Sequence, residues 1–104
     1  MPSMAHFYAY LAPPVISEED VWRHFAELPN KIEGFVGDCA AYGLKRGEHF
    51  TLKPLSREEI EEIIEAEDHE YVARIPLCEV RFRNRRCFET FRASDLADQT
   101  DEQI

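Results

Sequence analysis

The sequence predicts an α+β fold in which two amphipathic helices pack on one face of a mostly antiparallel sheet. Segments in which apolar and polar residues alternate, as in half-buried strands, enclose two stretches with helical periodicity. Prolines and serines mark the boundaries between these segments. A chain of 104 residues, of which 44% are hydrophobic, also has the size of one domain with a single core.

The first predicted unit is a strand followed by a helix. Residues 6–11 alternate, so that Tyr8 and Tyr10 lie on one face of the strand and apolar side chains lie on the other. Ser17 can cap a helix over residues 18–28, and acidic residues in its first turn suit the helix dipole. The proline that follows this stretch should end the helix, because proline removes a backbone donor.

The stretch after the first helix is ambiguous, because glycines interrupt it and no clean period is present. We predict a strand at 35–44, a turn and a returning strand at 49–53. A short helix that Asp38 caps and Gly47 ends is the alternative. Gly43 in the interior of that helix would cost about 1 kcal/mol relative to alanine, which favours the strands.

The clearest helix follows Ser56 and continues to Ala66. Ser56 and Glu59 have the spacing of a capping box, in which each side chain bonds the backbone of the other residue. The buried stripe of this helix is predicted to contain Ile60, Ile63 and Ile64. The opposite side carries what we call the acidic face, which consists of Glu58, Glu61, Glu62, Glu65 and Asp68.

The region after the acidic helix predicts further strands. Residues 71–75 have strand character, and Pro76 should interrupt their pairing. Residues 78–83 alternate between apolar and charged side chains, turn at an Asn-Arg pair and return at 87–91. The last two segments together predict a basic β-hairpin.

The predicted order is therefore strand, helix, two strands, helix and two or three strands. Its first six elements match the βαββαβ order of ferredoxin-like folds, to which the C-terminal β-hairpin is an addition. We assign this single α+β domain to residues 1–92. Residues 93–104 are acidic and poor in apolar side chains, which predicts a C-terminal tail that is flexible or forms one short helix capped by Ser94.

Charge and cysteine content restrict the function. The formal net charge of −9 disfavours acidic substrates, anionic membranes and phosphate backbones. Cys39, Cys78 and Cys87 are odd in number and form no C-x-x-C pair, which indicates a reducing, cytoplasmic location. No segment has the pattern of a signal peptide or a membrane span.

The leading functional hypothesis is a small protein-interaction module that uses the acidic face. Glu58 and Glu62, like Glu61 and Glu65, place like charges four residues apart, which slightly destabilises a helix. Such a surface suits docking on a Lys/Arg-rich site of a partner protein in competition with nucleic acid. An inhibitor or adaptor encoded by a phage or other mobile element would act in this way. The competing interpretation is a solvated helix face that only aids solubility.

The alternative hypothesis is a nucleic-acid-binding module. Its candidate residues combine cationic and aromatic side chains, the types that contact phosphates and stack on bases. They are Arg81, Arg83, Arg85, Arg86, Tyr8 and Tyr10. Ion pairing of the arginines with the preceding acidic helix is the competing interpretation.

A second alternative is a small ferredoxin-like enzyme or ligand-binding protein that works as a homodimer. Its pocket would lie between the open face of the sheet and the second subunit, lined by His6, Tyr8, Tyr10 and His49. No catalytic residue, metal site or cofactor is assigned, because the chain has no Gly-rich phosphate loop, nucleophile elbow or zinc-ligand spacing. The one set that we consider consists of His49, Cys39 and Cys87, which could meet in the fold as metal ligands or as a catalytic Cys-His pair.

Overall fold

The computed structural model describes residues 7–66 and 73–103. Its elements are β1 (Tyr8–Leu11), β2 (Pro14–Val15), α1 (Glu18–Ala41), β3 (Phe50–Pro54), α2 (Arg57–Ala66), β4 (Ala73–Arg74), β5 (Cys78–Phe82), α3 (Arg85–Arg92), a 3-10 helix (Asp95–Gln99) and β6 (Asp101–Gln103). The α+β class and the mostly antiparallel sheet are confirmed.

Four strands form the main sheet in the order β3-β5-β1-β6, and each neighbouring pair is antiparallel. β2 and β4 form a separate antiparallel pair. On β1, Ala9 lies opposite Val80 and is completely buried, whereas Tyr8 lies opposite the exposed Arg81. This register confirms the predicted alternation of the first strand.

α1 and α3 bury one face of the main sheet through a cluster rich in phenylalanine, which we call the larger cluster. The ring centroid of Phe82 lies 4.9 Å from that of Phe91, 5.5 Å from that of Phe88 and 6.2 Å from that of Phe50. Phe35 of α1 packs in the same cluster. Each aromatic pair of this kind adds roughly 0.5–1.5 kcal/mol beyond its area burial. The rings therefore hold both helices on the same face of the sheet.

A second buried cluster, which we call the smaller cluster, lies between α1, α2 and the link from β4 to β5. Ile60 of α2 is completely buried and packs with Val21 and Leu28 of α1. Ile75 and Leu77, from the link, are also completely buried in this cluster. α1 thus contributes side chains to both clusters.

The predicted end of the first helix and the predicted strand at 35–44 are both wrong. α1 continues through Pro29 to Ala41. The physical reason is an apolar stripe that recurs every three or four residues on both sides of the proline. This stripe consists of Val21, Phe25, Leu28, Ile32, Phe35 and Cys39. Pro29 itself is exposed, so the helix loses a backbone hydrogen bond there without disturbing the buried side.

The predicted C-terminal hairpin is also wrong, because residues 85–92 form α3. Asn84 is the N-cap of this helix and not a turn residue: the Cys87 N–H donates to its Oδ1 at 2.9 Å. Cys87, Phe88 and Phe91 are all buried. A strand would place Phe88 and Phe91 on opposite faces, whereas a helix places them on one.

The ferredoxin-like order is not found, because α1 takes up the residues predicted to form the first strand of the central hairpin. Only β3 lies between α1 and α2. β4 covers residues 73–74 of the strand predicted at 71–75, and residues 71–72 lie outside the described ranges. Beyond α3, Ser94 caps the 3-10 helix, Leu96 is buried in the larger cluster and β6 pairs with β1.

Replacement of Phe82 tests the larger cluster. We expect Phe82→Ala to lower the free energy of unfolding by about 3–5 kcal/mol, because the change removes a 4% exposed ring and leaves a cavity among other rings. Urea unfolding followed by circular dichroism measures this loss. The control is Ile16→Ala, where the side chain is 69% exposed and the loss should stay within about 0.5 kcal/mol. Equal losses in the two variants would contradict the assigned core.

Candidate functional site

α2 begins at the predicted capping box. The Ser56 N–H donates to Glu59 Oε1 at 2.8 Å, and the Glu59 N–H donates to Ser56 Oγ at 3.1 Å. Hydrogen bonding of the Glu59 carboxyl to the Ser56 backbone, and next to the Ser56 side chain, lowers the pKa of that carboxyl. Glu59 is thus held at the start of the helix and is separate from the acidic face.

The described part of the acidic face lies on the side of α2 opposite the core. Ile60 is completely buried, and Ile63 and Ile64 are half-buried against the smaller cluster. All four described acidic residues of this face are exposed: Glu58, Glu61, Glu62 and Glu65. At about 100° per residue, these four positions fall within an arc of about 100° whose centre lies about 150° from Ile60. Asp68, the fifth predicted member, lies outside the described residues.

The acidic face is not neutralised within the part of the chain that the structure describes. The ion pairs found there are Arg23–Asp20, Arg81–Glu79 and Arg85–Glu89. Arg57, the basic residue of α2, instead places its guanidinium carbon 4.4 Å from the centroid of the Trp22 ring. Among the described residues, no ion pair joins Arg81, Arg83, Arg85 or Arg86 to the glutamates of α2. Residues 67–70, which the competing interpretation also included, lie outside the described ranges.

The structure divides the predicted arginine set between the sheet and α3. Arg81 lies on β5 and Arg83 follows that strand, whereas Arg85 and Arg86 are the first two residues of α3. Arg85 Nε donates to Glu89 Oε1 at 2.9 Å on the surface of the helix. The nucleic-acid hypothesis therefore retains Arg81 beside the tyrosines but loses the basic hairpin that joined all four arginines.

The face of the main sheet opposite the helices, which we call the open face, unites Arg81 with the two predicted tyrosines. Tyr8 lies opposite Arg81 in the register, and Tyr10 lies opposite Glu79. The centroids of the two tyrosine rings are 5.5 Å apart, and the angle between the ring planes is 84°. Burial, followed by the neighbouring Tyr8, raises the pKa of the Tyr10 hydroxyl. Arg81 Nη2 donates to Glu79 Oε1 at 3.2 Å, so this face carries a partly compensated charge.

A cleft that the sequence analysis did not predict lies at the β3 edge of this sheet. Its walls include Arg46, Arg81 and Arg83, and its volume is about 840 Å³. Arg46 lies 35 residues before Arg81, and the pairing of β3 with β5 brings the two regions together. No local signal in the sequence marks such a cleft, because its composition depends on strand register.

Burial and hydrogen bonding restrict the reactivity of Cys39, Cys78 and His49. Burial raises the pKa of the Cys39 thiol to about 12 and that of the Cys78 thiol to about 11, so both remain poor nucleophiles at neutral pH. His49 and Cys87 line one small cleft of about 360 Å³, but Cys39 does not line it. His49 Nδ1 accepts the Lys45 N–H at 2.8 Å, which already occupies that lone pair.

Comparisons with known proteins return no relative. No family model matches the chain, and no curated protein or solved structure shows a significant match. Among residues 7–66 and 73–103, no group of three or more His, Cys, Asp or Glu side chains could hold a metal ion. None of the helices in these ranges combines the length and the apolar composition needed to cross a membrane.

The capping box predicts a pH dependence of stability. The pKa of Glu59 is lowered on folding, so its stabilising contribution is present above its ordinary pKa of 4.5 and is lost as the pH falls through the folded value. We expect Glu59→Gln to reduce the loss of stability in acid, measured by urea unfolding between about pH 3 and pH 6. Glu58→Gln, outside the box, is the control and should retain the wild-type dependence. Identical pH profiles for Glu59→Gln and wild type would contradict this role.

Proposed function

We propose that the protein is a small acidic protein-interaction module, an inhibitor or adaptor whose α2 docks on the Lys/Arg-rich surface of a partner protein. One observation carries the proposal. Four exposed carboxylates lie within one arc of α2, and no described residue forms an ion pair with them. A surface that only aided solubility would not require this concentration of one charge on one side of one short helix.

The spacing of these carboxylates supports a partner that otherwise binds nucleic acid. Glu58 and Glu65 are seven residues apart, which corresponds to about 10 Å along the helix axis. The four charges are therefore separated by about 3.5 Å on average along that axis, in uneven steps of three, one and three residues. One strand of B-DNA carries one charge per about 3.4 Å. A groove whose cations follow a phosphate backbone would find a similar charge density on α2.

Other interactions of α2 compensate for the destabilising effect of its like charges. Each like-charge pair at a spacing of four residues costs about 0.2–0.5 kcal/mol. Burial of Ile60 and the capping box at Ser56 offset this cost, because a fully buried isoleucine contributes about 1.5–3 kcal/mol. Clustered negative charge also accelerates association with a basic partner and makes it sensitive to salt. We further propose that the protein acts in the cytoplasm and is encoded by a phage or other mobile element.

The first experiment identifies the partner and its ligand. The tagged protein is immobilised and exposed to nuclease-treated host lysate, and proteins that bind at low salt and elute at high salt are identified by mass spectrometry. Each purified candidate is then tested for nucleic-acid binding with and without the protein. The proposal requires a directly bound partner whose nucleic acid the protein displaces; a partner that retains its nucleic acid would contradict competition.

Neutralisation of α2 tests the docking surface. We expect the triple variant E58Q/E62Q/E65Q to weaken binding to this partner by about tenfold or more, and to flatten its salt dependence. The matched control E27Q/E33Q/D38N removes three exposed carboxylates from α1 and changes the net charge equally. Affinities are measured by calorimetry on variants whose urea midpoints match the wild type. Equal weakening by both triple variants would assign binding to net charge and reject α2 as the surface.

Nucleic-acid binding by the open face is a second candidate function. The register that places Arg81 opposite Tyr8 favours it, because a cation beside aromatic rings is the arrangement that holds single strands. We expect Tyr10→Ala to weaken binding of a ten-nucleotide thymidine strand by about 1–3 kcal/mol at low salt. Tyr42→Ala, which removes an exposed ring at the end of α1, is the control. Fluorescence anisotropy measures both, and no binding by the wild type would exclude this function.

A further inference from the structure

The cleft at the β3 edge gathers positive charge in a chain whose net charge is −9. Arg46 precedes β3, Arg81 lies on β5 and Arg83 follows β5. Within the described residues, no ion pair includes Arg46 or Arg83. Glu48 also lines the cleft, and Glu79 forms an ion pair with Arg81. Two guanidinium groups thus remain without a carboxylate partner in that part of the chain.

Hydrogen bonds hold the turn that forms one wall of this cleft. The Gly47 N–H donates to the Phe50 carbonyl at 2.7 Å, and the Lys45 N–H donates to His49 Nδ1 at 2.8 Å. The Arg83 N–H donates to the His49 carbonyl at 2.8 Å, which connects the turn to the end of β5. The turn requires glycine, because Gly47 has a φ of +88°. The cleft is therefore built before any ligand arrives.

The chemistry of the walls identifies the class of ligand. Guanidinium groups bind phosphate oxygens through paired N–H donors. Several guanidinium groups in one cleft repel one another, and an anion bound between them offsets this repulsion. Thr51 adds a hydroxyl group to the same cleft. Its volume of about 840 Å³ lies within the range of roughly 300–1,000 Å³ that is typical of sites for small molecules. A phosphorylated small molecule matches both the charge and the size.

We propose that the cleft of Arg46, Arg81 and Arg83 binds the polyphosphate group of a small ligand, such as a nucleoside diphosphate or triphosphate. This site shares no residue with the acidic face, so it does not depend on docking by α2. It does share Arg81 with the open face, where Tyr8 is the neighbour of that arginine. Arg46 and Arg83 are therefore the residues that test the cleft alone.

The test uses inorganic tripolyphosphate as the probe, together with adenosine triphosphate and a ten-nucleotide thymidine strand. Calorimetry at low ionic strength should show binding of tripolyphosphate to the wild type, and the variant R46Q/R83Q should weaken it by about tenfold or more. The matched control R85Q/R86Q removes the same charge from α3 and should stay within about twofold of the wild type. Equal weakening by both variants would overturn the proposal.

Footprinting on the unaltered chain gives a second measurement that no folding defect can obscure. Phenylglyoxal modifies exposed arginines, and peptide mapping by mass spectrometry quantifies each site. Tripolyphosphate should protect Arg46 and Arg83 at least about threefold more than Arg23, an exposed arginine on α1. Uniform protection, or binding of the thymidine strand without binding of tripolyphosphate, would overturn a small-ligand site; the second result would assign the arginines to nucleic acid.

Discussion

The apolar stripe of α1 is the constraint on which the rest of the structure depends. Its N-terminal half packs against α2 through Val21 and Leu28, and its C-terminal half packs against the sheet and α3 through Phe35 and Cys39. An interior proline costs a helix about 3 kcal/mol or more. Each fully buried large apolar side chain contributes about 1.5–3 kcal/mol. The buried Phe35 and Cys39, with the half-buried Ile32 and Val36, are therefore enough to offset that cost after Pro29.

The parts of the fold that the sequence predicted correctly depend on neighbouring residues. Ser17 and Ser56 cap their helices as expected, because a capping bond spans three residues. The errors arose where a local signal competed with packing between distant segments. Pro29 is a local stop signal that a long-range core outweighs. Asn84 suits either a hairpin turn or a helix cap, and the burial of Phe88 beside Phe82 favours the cap.

The two candidate surfaces differed in predictability for the same reason. The acidic face follows from helical periodicity within α2, so its described residues, Glu58 to Glu65, could be placed from the sequence. The arginine cleft could not, because Arg46 belongs to it only through the register of β3 against β5. The arginines that are adjacent in sequence were misleading: helix formation after Asn84 separates Arg85 from the sheet.

A net charge of −9 would exclude an anionic ligand only if the electrostatic field of the protein were uniform. β3 runs from Phe50, at the cleft, to Pro54, just before α2. Its four residue steps extend about 13 Å. The Debye length at physiological salt is about 8 Å, so solvent screens much of the interaction between α2 and the cleft. The carboxylates can therefore face a basic partner while Arg46 and Arg83, in the cleft near the Phe50 end of β3, attract phosphate.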